Sequence, residues 1–165
     1  MGEAKGDMFL PTGGTMIEAV INTLAEVCAH VVTVGGAGGG RNEVADLRIG
    51  AGPLGGIEAL LHSGLDDHYV VCPNDMPLLT AELVLRLTAH SDAMATIFAT
   101  GGVRIQTLPL RISAAALPTV STALDRGENA IHRVLARLDT DLIPINKRDA
   151  LALKNINTQN EFNSI

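Results

Sequence analysis

One carboxylate, Asp75, stands in a stiff turn after a short apolar run and could bind a metal ion. The run, Tyr69 to Cys72, is aromatic and β-branched, which predicts a strand buried on both faces. Pro73 and Pro77 stand on either side of Asp75, and proline cannot donate to a strand ladder. Ligands bind at the carboxyl edge of open α/β sheets, where a lone carboxylate can hold Mg²⁺ against nucleotide phosphates. The alternative is a helix cap or a turn role for Asp75.

A glycine-rich stretch, GAGPLGG from Gly50 to Gly56, is the second feature that could bind a nucleotide. Gly50, Gly52 and Gly55 satisfy G-x-G-x-x-G, and Asp75 follows Gly55 by 20 positions. This pattern is typical of NAD-binding Rossmann proteins. However, the preceding strand is short and polar, and a proline occupies the loop. Asp75 also lies beyond its strand. A plain glycine turn that leads into a helix is therefore favoured over NAD binding.

Composition limits the class of protein. The chain has 165 residues, which predicts one domain over 1–165, and it is 47% hydrophobic but 2% aromatic. A net charge of −6 and so few aromatic residues argue against a nucleic-acid partner. No apolar run reaches the length of a membrane span, and the N-terminus lacks a signal peptide. Cys28 and Cys72 indicate free thiols in a reducing compartment, so we expect a cytoplasmic protein without a membrane contact.

Helices and strands alternate along the chain, which predicts an α/β fold with a mostly parallel sheet. The first helix, from about Met16 to Cys28, follows a capping box formed by Thr15 and Glu18. The remaining expected strands are 30–34, 69–72, 93–99, 104–112 and 142–145, and Pro109 is expected to interrupt the strand over 104–112. The remaining expected helices are 57–61, the segment after Thr80, 114–124, 128–138 and 159–165. Residues 44–49 are expected to form either a short strand or an extended loop.

Four motifs, in order, give the chain its resemblance to a known family. They are MGEAKGDMFLP at residues 1–11, Asp46 followed by GPLGG at 52–56, PNDMP at 73–77 and NINT at 155–158. These resemble "RMG-x-DK-x-x-L-P", "D…GPLAG", "P-C-D-M-P" and "N-I-N-T" of the molybdenum cofactor guanylyltransferases (MobA-type), a branch of the nucleotidyltransferases. The motifs extend over nearly the whole chain.

The resemblance implies a three-layer, Rossmann-like fold and transfer of GMP from GTP to molybdopterin. Lys5 and Asp75 would be the catalytic residues, with Asp75 also the Mg²⁺ ligand. The nucleotide-binding residues would be Lys5, Asp46, Gly52, Pro53, Leu54, Gly55 and Asp75. Asn155 and Asn157 would contact molybdopterin. The resemblance also implies contact with proteins of molybdenum cofactor biosynthesis or with molybdoenzyme chaperones.

The chain departs from the family at its N-terminus. In the family a first strand and an "LAGG-x-S-x-R" loop, which cradles the triphosphate, precede the "RMG" stretch, and this chain begins at the methionine of that stretch. Either Met1 is an internal methionine of a longer protein or the chain is a degenerate homologue without catalysis. We favour the first explanation because the other motifs are intact. We expect a fold that lacks its first strand, weak GTP binding and little or no activity. A cytidylyl- or sugar-nucleotide transferase is the alternative enzyme.

Overall fold

The computed structural model describes residues 9–10, 13–35, 42–89, 92–100, 104–158 and 161. The helices are α1 (Met16–Ala25), α2 (Gly52–His62), α3 (Ala81–Thr88), α4 (Leu117–Asp125), α5 (Ile131–Leu135) and α6 (Lys147–Ala152). The strands are β1 (Thr33–Val34), β2 (Glu43–Val44), β3 (His68–Val71), β4 (Ala95–Thr100), β5 (Arg104–Ser113) and β6 (Thr140–Ile145). A short 3₁₀ helix, Ala114–Ala116, leads into α4. No helix within these described ranges is long and apolar enough to cross a membrane.

Local sequence accounts for the helix starts. Thr15 and Glu18 form the predicted capping box of α1, in which each side chain bonds the other residue's backbone N–H. Thr80 caps α3 through its hydroxyl, which accepts the backbone N–H of Leu83. Asn146 and Asp149 form a second capping box at α6. The caps at Thr80 and Asn146 set the points at which the connections after β3 and β6 turn into helices.

The larger sheet has four strands in the order β3-β5-β4-β6, and β1 and β2 form a separate parallel pair. In the larger sheet β4 and β6 are parallel, and β5 is antiparallel to both β3 and β4. Three of its four strands therefore run in one direction, which confirms the mostly parallel sheet. The carboxyl ends of β3, β4 and β6 consequently lie at one edge, where the turn that contains Asp75 follows β3.

Apolar side chains on both faces of the sheet produce three layers. Tyr69, Ile97 and Ile112 pack with residues of α2, α4 and α5 on one face. Phe98 and Ile143 pack with residues of α3 on the other face, where Leu24 of α1 and Val27, just beyond the helix, pack against them. Adjacent strand residues such as Ile97 and Phe98 face opposite layers because side chains alternate along a strand. The three-layer α/β fold is thus confirmed, and its core is largely aliphatic.

Several predicted boundaries differ from the structure. The helix after the glycine stretch begins at Gly52 rather than at Ile57, so most of the expected loop is the first turn of α2. Pro53 is tolerated there because the first helical N–H groups need no helical acceptor. The segment predicted as 44–49 pairs only at Glu43–Val44. β5 extends from Arg104 to Ser113, and its pairing with β4 shifts at Pro109, since Ile97 pairs with Leu110 but Phe98 pairs with Gln106. The helix α5 is shorter than the expected helix over 128–138. Nearly all of the predicted helix over 159–165 lies outside the described residues.

Candidate active site at the carboxyl edge of the sheet

Asp75 lies in the turn after β3, and a motif 80 residues further along the chain holds it there. Asn155 Nδ2 donates a hydrogen bond to Asp75 Oδ2 at 3.2 Å. The backbone N–H of Ile156 donates to the Asp75 carbonyl oxygen at 2.8 Å. The Ile156 side chain is fully buried, which fixes the backbone of this segment against the turn. The structure therefore brings two predicted site residues, Asp75 and Asn155, into direct contact.

The second carboxylate oxygen of Asp75 has a different environment. Asp75 Oδ1 is buried and has no hydrogen-bond partner among the described residues. An unpaired buried acceptor costs about 1–3 kcal/mol, and more when it carries charge. A hard cation such as Mg²⁺ would pair this oxygen, because Mg²⁺ prefers oxygen ligands. The residue thus fits the metal-binding role that the sequence predicted.

The described residues hold no group of three or more His, Cys, Asp or Glu side chains that could enclose a metal. Mg²⁺ is commonly bound through one or two carboxylates, with water and substrate phosphates as its other ligands. Burial, and then the Asp75 charge, raise the pKa of the nearby Cys72 thiol to about 12. Cys72 is therefore protonated at neutral pH and offers no thiolate to a cation or an electrophile. Asp75 is the carboxylate that this turn presents.

Asp46 and the start of α2 form a second part of the predicted site. Asp46 is exposed, and a Cβ atom built on Gly35 would lie 3.0 Å from Asp46 Oδ2. The turn after β1 and the loop after β2 therefore meet at this carboxylate. Gly50 and Gly52 have φ values of 75° and 65°, which side-chain-bearing residues rarely adopt. A Cβ atom on Gly55 would lie 2.6 Å from Ala51 Cβ, so Gly55 is required for packing.

An ion-pair network that the sequence did not predict holds this glycine segment. Arg48 donates to Glu58 from Nε at 2.7 Å and from Nη2 at 3.0 Å, and Arg48 Nη2 lies 2.7 Å from Asp125 Oδ1. Glu58 is buried with 3% of its surface exposed, and its hydrogen bonds from Arg48 lower its pKa. The ten-residue spacing of Arg48 and Glu58 is no local motif. The sign of this network in the sequence is Glu58 itself, a charged residue among the apolar residues of α2.

The remaining predicted site residues have different outcomes. Pro53 is exposed and Leu54 is buried in the first turn of α2. The backbone N–H of Asn157 donates to Glu161 Oε2 at 2.7 Å, and Asn157 is exposed. Lys5 lies outside the described residues. No hydrogen bond or ion pair recorded for the described residues joins the Asp46–Gly55 group to the Asp75–Asn155 pair.

Comparison with known proteins decides the family. The domain described as "MobA-like NTP transferase domain" matches residues 1–142. The chain belongs to this family. A molybdenum cofactor guanylyltransferase of Photobacterium profundum is 31% identical over 174 aligned positions, which include 98% of this chain and 86% of that protein. A "Probable molybdenum cofactor guanylyltransferase" of Flavobacterium johnsoniae is 28% identical over 127 positions, 74% of this chain. The chain spans 65% of the length of that second relative.

Solved structures show the same fold at lower identity. Molybdopterin-guanine dinucleotide biosynthesis protein A of Archaeoglobus fulgidus superposes with a TM-score of 0.80 at 21% identity, covering 97% of this chain and 87% of that one. The 2-C-methyl-D-erythritol 4-phosphate cytidylyltransferase of Thermus thermophilus gives 0.74 at 17% identity, covering 99% and 92%. The MobA-like chain therefore has the nucleotidyltransferase fold that the four motifs predicted.

Proposed function

We propose that this MobA-like chain binds GTP and Mg²⁺ at the carboxyl edge of its sheet and transfers GMP to molybdopterin. The observation that carries the proposal concerns the two oxygens of Asp75: Oδ1 is buried and has no partner within the described part of the chain, and Asn155 holds Oδ2. These two residues come from separate motifs of the family resemblance. The two curated relatives with guanylyltransferase names support GTP as the nucleotide.

In the proposed reaction, an oxygen of the molybdopterin phosphate attacks the α-phosphorus of GTP. A new phosphorus–oxygen bond forms, the bond from the α-phosphorus to the bridging oxygen breaks, and pyrophosphate leaves with the bonding electrons. No protein side chain acts as a covalent nucleophile, so catalysis depends on positioning and charge stabilisation. When bound, Mg²⁺ would supply charge neutralisation on the phosphate oxygens.

Each proposed residue acts through its own chemistry. Asp75 would bind Mg²⁺ through Oδ1, while Asn155 orients the carboxylate through Oδ2. Lys5 would neutralise negative charge on the phosphates. Asp46 would contact the guanine side, next to the backbone of Gly52, Pro53, Leu54 and Gly55 at the start of α2. Asn155 and Asn157 would contact molybdopterin. A cytoplasmic location and contact with molybdenum cofactor proteins are proposed from the family resemblance.

The test of this proposal replaces Asp75→Asn, with Asp139→Asn as the matched control. Both changes remove one carboxylate charge, and Asp139 is an exposed residue just before β6. We expect D75N to abolish the Mg²⁺-dependent part of GTP binding, measured by calorimetry with and without EDTA. Where GMP transfer is measurable, we expect a loss of about 100-fold or more. GTP binding that is equally Mg²⁺-dependent in D75N and D139N would contradict the proposed role of Asp75.

The alternative enzyme is a cytidylyltransferase, which the fold of the Thermus thermophilus structure supports. Competition between GTP and CTP for Mg²⁺-dependent binding separates the two. We expect GTP to displace CTP, and preferential CTP binding would favour the alternative. Absence of binding by both nucleotides would instead favour a non-catalytic homologue, and NAD binding without Mg²⁺ would support the Rossmann interpretation.

A further inference from the structure

Arg86 of α3 contacts three other elements through one guanidinium group. Nη1 donates a hydrogen bond to Asp149 Oδ2 of α6 at 2.8 Å, and Nη2 donates to the Pro144 carbonyl oxygen of β6 at 2.9 Å. The guanidinium carbon lies 5.7 Å from the centre of the Phe98 ring of β4, within the range of a cation–π contact. A single side chain therefore joins α3 to two strands and to a second helix.

We propose that Arg86 is a positioning residue for the contact between Asp75 and Asn155. The turn that contains Asp75 leads directly into α3, and α6 leads directly into the segment that contains Asn155. Arg86 thus joins the helix that follows one member of the pair to the helix that precedes the other. Because Asp75 is the carboxylate assigned to Mg²⁺ above, this role rests on the proposed function.

The position of α6 depends on polar contacts more than on burial. α6 has six residues, and none of them is buried, although Ala152 packs against the core at its end. Helices of this length are not stable in isolation. The ion pair of Asp149 with Arg86 therefore supplies a large part of what holds α6 against α3 and β6.

The ion pair also fixes the start of α6. Asp149 Oδ2 accepts the backbone N–H of Asn146 at 3.3 Å, and Asn146 Oδ1 accepts the backbone N–H of Asp149 at 2.9 Å. The hydrogen bond from Arg86 is the largest cause that lowers the pKa of Asp149, so this carboxylate is charged at neutral pH. Hydrogen bonds between charged groups are stronger than neutral ones. Arg86 therefore holds the same carboxylate that caps the helix.

Both connections between Arg86 and the site are short and well held. On the α3 side, the Leu79 N–H donates to the Met76 carbonyl oxygen at 3.1 Å, and Met76 has 1% of its surface exposed. On the α6 side, Leu153 has 2% exposed, and its carbonyl oxygen accepts a hydrogen bond from Gln106. A shift of α6 relative to α3 is thus transmitted to the contact between Asp75 and Asn155.

The first test measures that contact without nucleotide, in Arg86→Gln and in the control Arg148→Gln. Arg148 is an exposed arginine of α6, so both variants lose one positive charge close to Asp149. Solvent exchange of the Asn155 side-chain amide is followed by NMR, with the signal assigned through its loss in Asn155→Ala. We expect exchange about threefold faster or more in R86Q than in wild type and R148Q, because local opening exposes the amide. Equal exchange in the three proteins would overturn the role of Arg86.

The second test asks whether Arg86 acts through Asn155, by a double-mutant cycle on Mg²⁺-dependent GTP binding. We expect R86Q to weaken the Mg²⁺-dependent part by about tenfold, the usual effect of removing a residue that orients a metal ligand, and R148Q to leave it unchanged. In the N155A background, R86Q should cause no further loss. An equal loss with and without Asn155 would show a general effect on stability and overturn the proposal.

Two further features keep these outcomes separate. If wild type shows no Mg²⁺-dependent GTP binding, the proposed function fails, while amide exchange at Asn155 still decides the role of Arg86. If R86Q does not fold, Arg86→Lys takes its place, because lysine keeps the charge but lacks the planar fork that bonds Asp149 and Pro144 together. Exchange at Asn155 in R86K that equals wild type would then overturn the proposal, and faster exchange would support it.

Discussion

At the scale of single residues, the two oxygens of Asp75 have distinct roles. Oδ2 accepts a hydrogen bond from Asn155, while Oδ1 is buried and lacks a partner within the described residues. A carboxylate held by one oxygen has a fixed orientation, and its second oxygen stays available to a ligand. This arrangement favours cation binding over a plain turn role, because a turn aspartate normally hydrogen-bonds the backbone of its own turn.

Glu58 supports the glycine segment through Arg48, and its removal should affect stability in a pH-dependent manner. Arg48 lowers the pKa of Glu58 in the folded protein. The stabilisation is therefore complete above the unfolded value of about 4.3 and is lost as pH falls through the lower folded value. We expect Glu58→Gln to cost about 1.5–3 kcal/mol at pH 7. Urea unfolding should show a smaller difference from wild type at pH 3.

The control for this variant is Glu26→Gln, which removes a carboxylate from an exposed position at the end of α1. Its unfolding free energy should match wild type at both pH values. If the segment from Arg48 to Gly55 positions the nucleotide, E58Q should also weaken GTP binding more than E26Q does. A pH-independent effect of E58Q would show that the charge of Glu58 does not explain the loss.

At the scale of elements, the segment 155–158 closes the site from the C-terminal side. Ile156 is fully buried, its N–H bonds the Asp75 carbonyl, and Gln106 Nε2 donates to the Leu153 carbonyl just before it at 3.3 Å. The segment has no regular secondary structure, so these contacts replace a helix or strand ladder. Ile156 therefore anchors Asn155 against Asp75.

This anchor leads to a prediction for Ile156→Ala. The change leaves a cavity under the segment, and a buried Ile-to-Ala replacement costs about 2–5 kcal/mol. We expect that loss in urea unfolding, together with weaker Mg²⁺-dependent GTP binding because Asn155 is no longer held. Leu151→Ala is the control, since Leu151 is 56% exposed, and its effect should stay within about 0.5 kcal/mol. Intact Mg²⁺-dependent GTP binding in I156A would show that the anchor has no role in the site.

The sequence predicts those parts of the fold that depend on local patterns. The capping box of α1, the strand before Pro73 and the turn at Asp75 all follow from residue types within a few positions. The start of α2 at Gly52 was missed because its glycines favour a loop, whereas packing of Leu54 and Ile57 in the core stabilises the helix. The Arg48–Glu58–Asp125 network was missed because tertiary packing joins its members. The contact of Asp75 with Asn155 followed from neither spacing nor periodicity.

At the scale of the whole molecule, one helix layer covers strands that belong to two separate sheets in the described structure. α2 packs over both β1 and β3, yet these strands belong to separate sheets in the described structure. Val34 of β1 and Tyr69 of β3 both pack with residues of α2 in one core, so this helix joins the two sheets.

Hydrogen exchange should distinguish the two edges of β3 at single residues. The amides of Tyr69 and Val71 bond to β5, whereas the Val70 amide points away from β5, so opening of β3 is required for exchange only at Tyr69 and Val71. We expect Val70 to exchange faster than both neighbours in NMR measurements on the free protein. Equal protection of all three amides in the free protein would mean that the β3 edge is already paired.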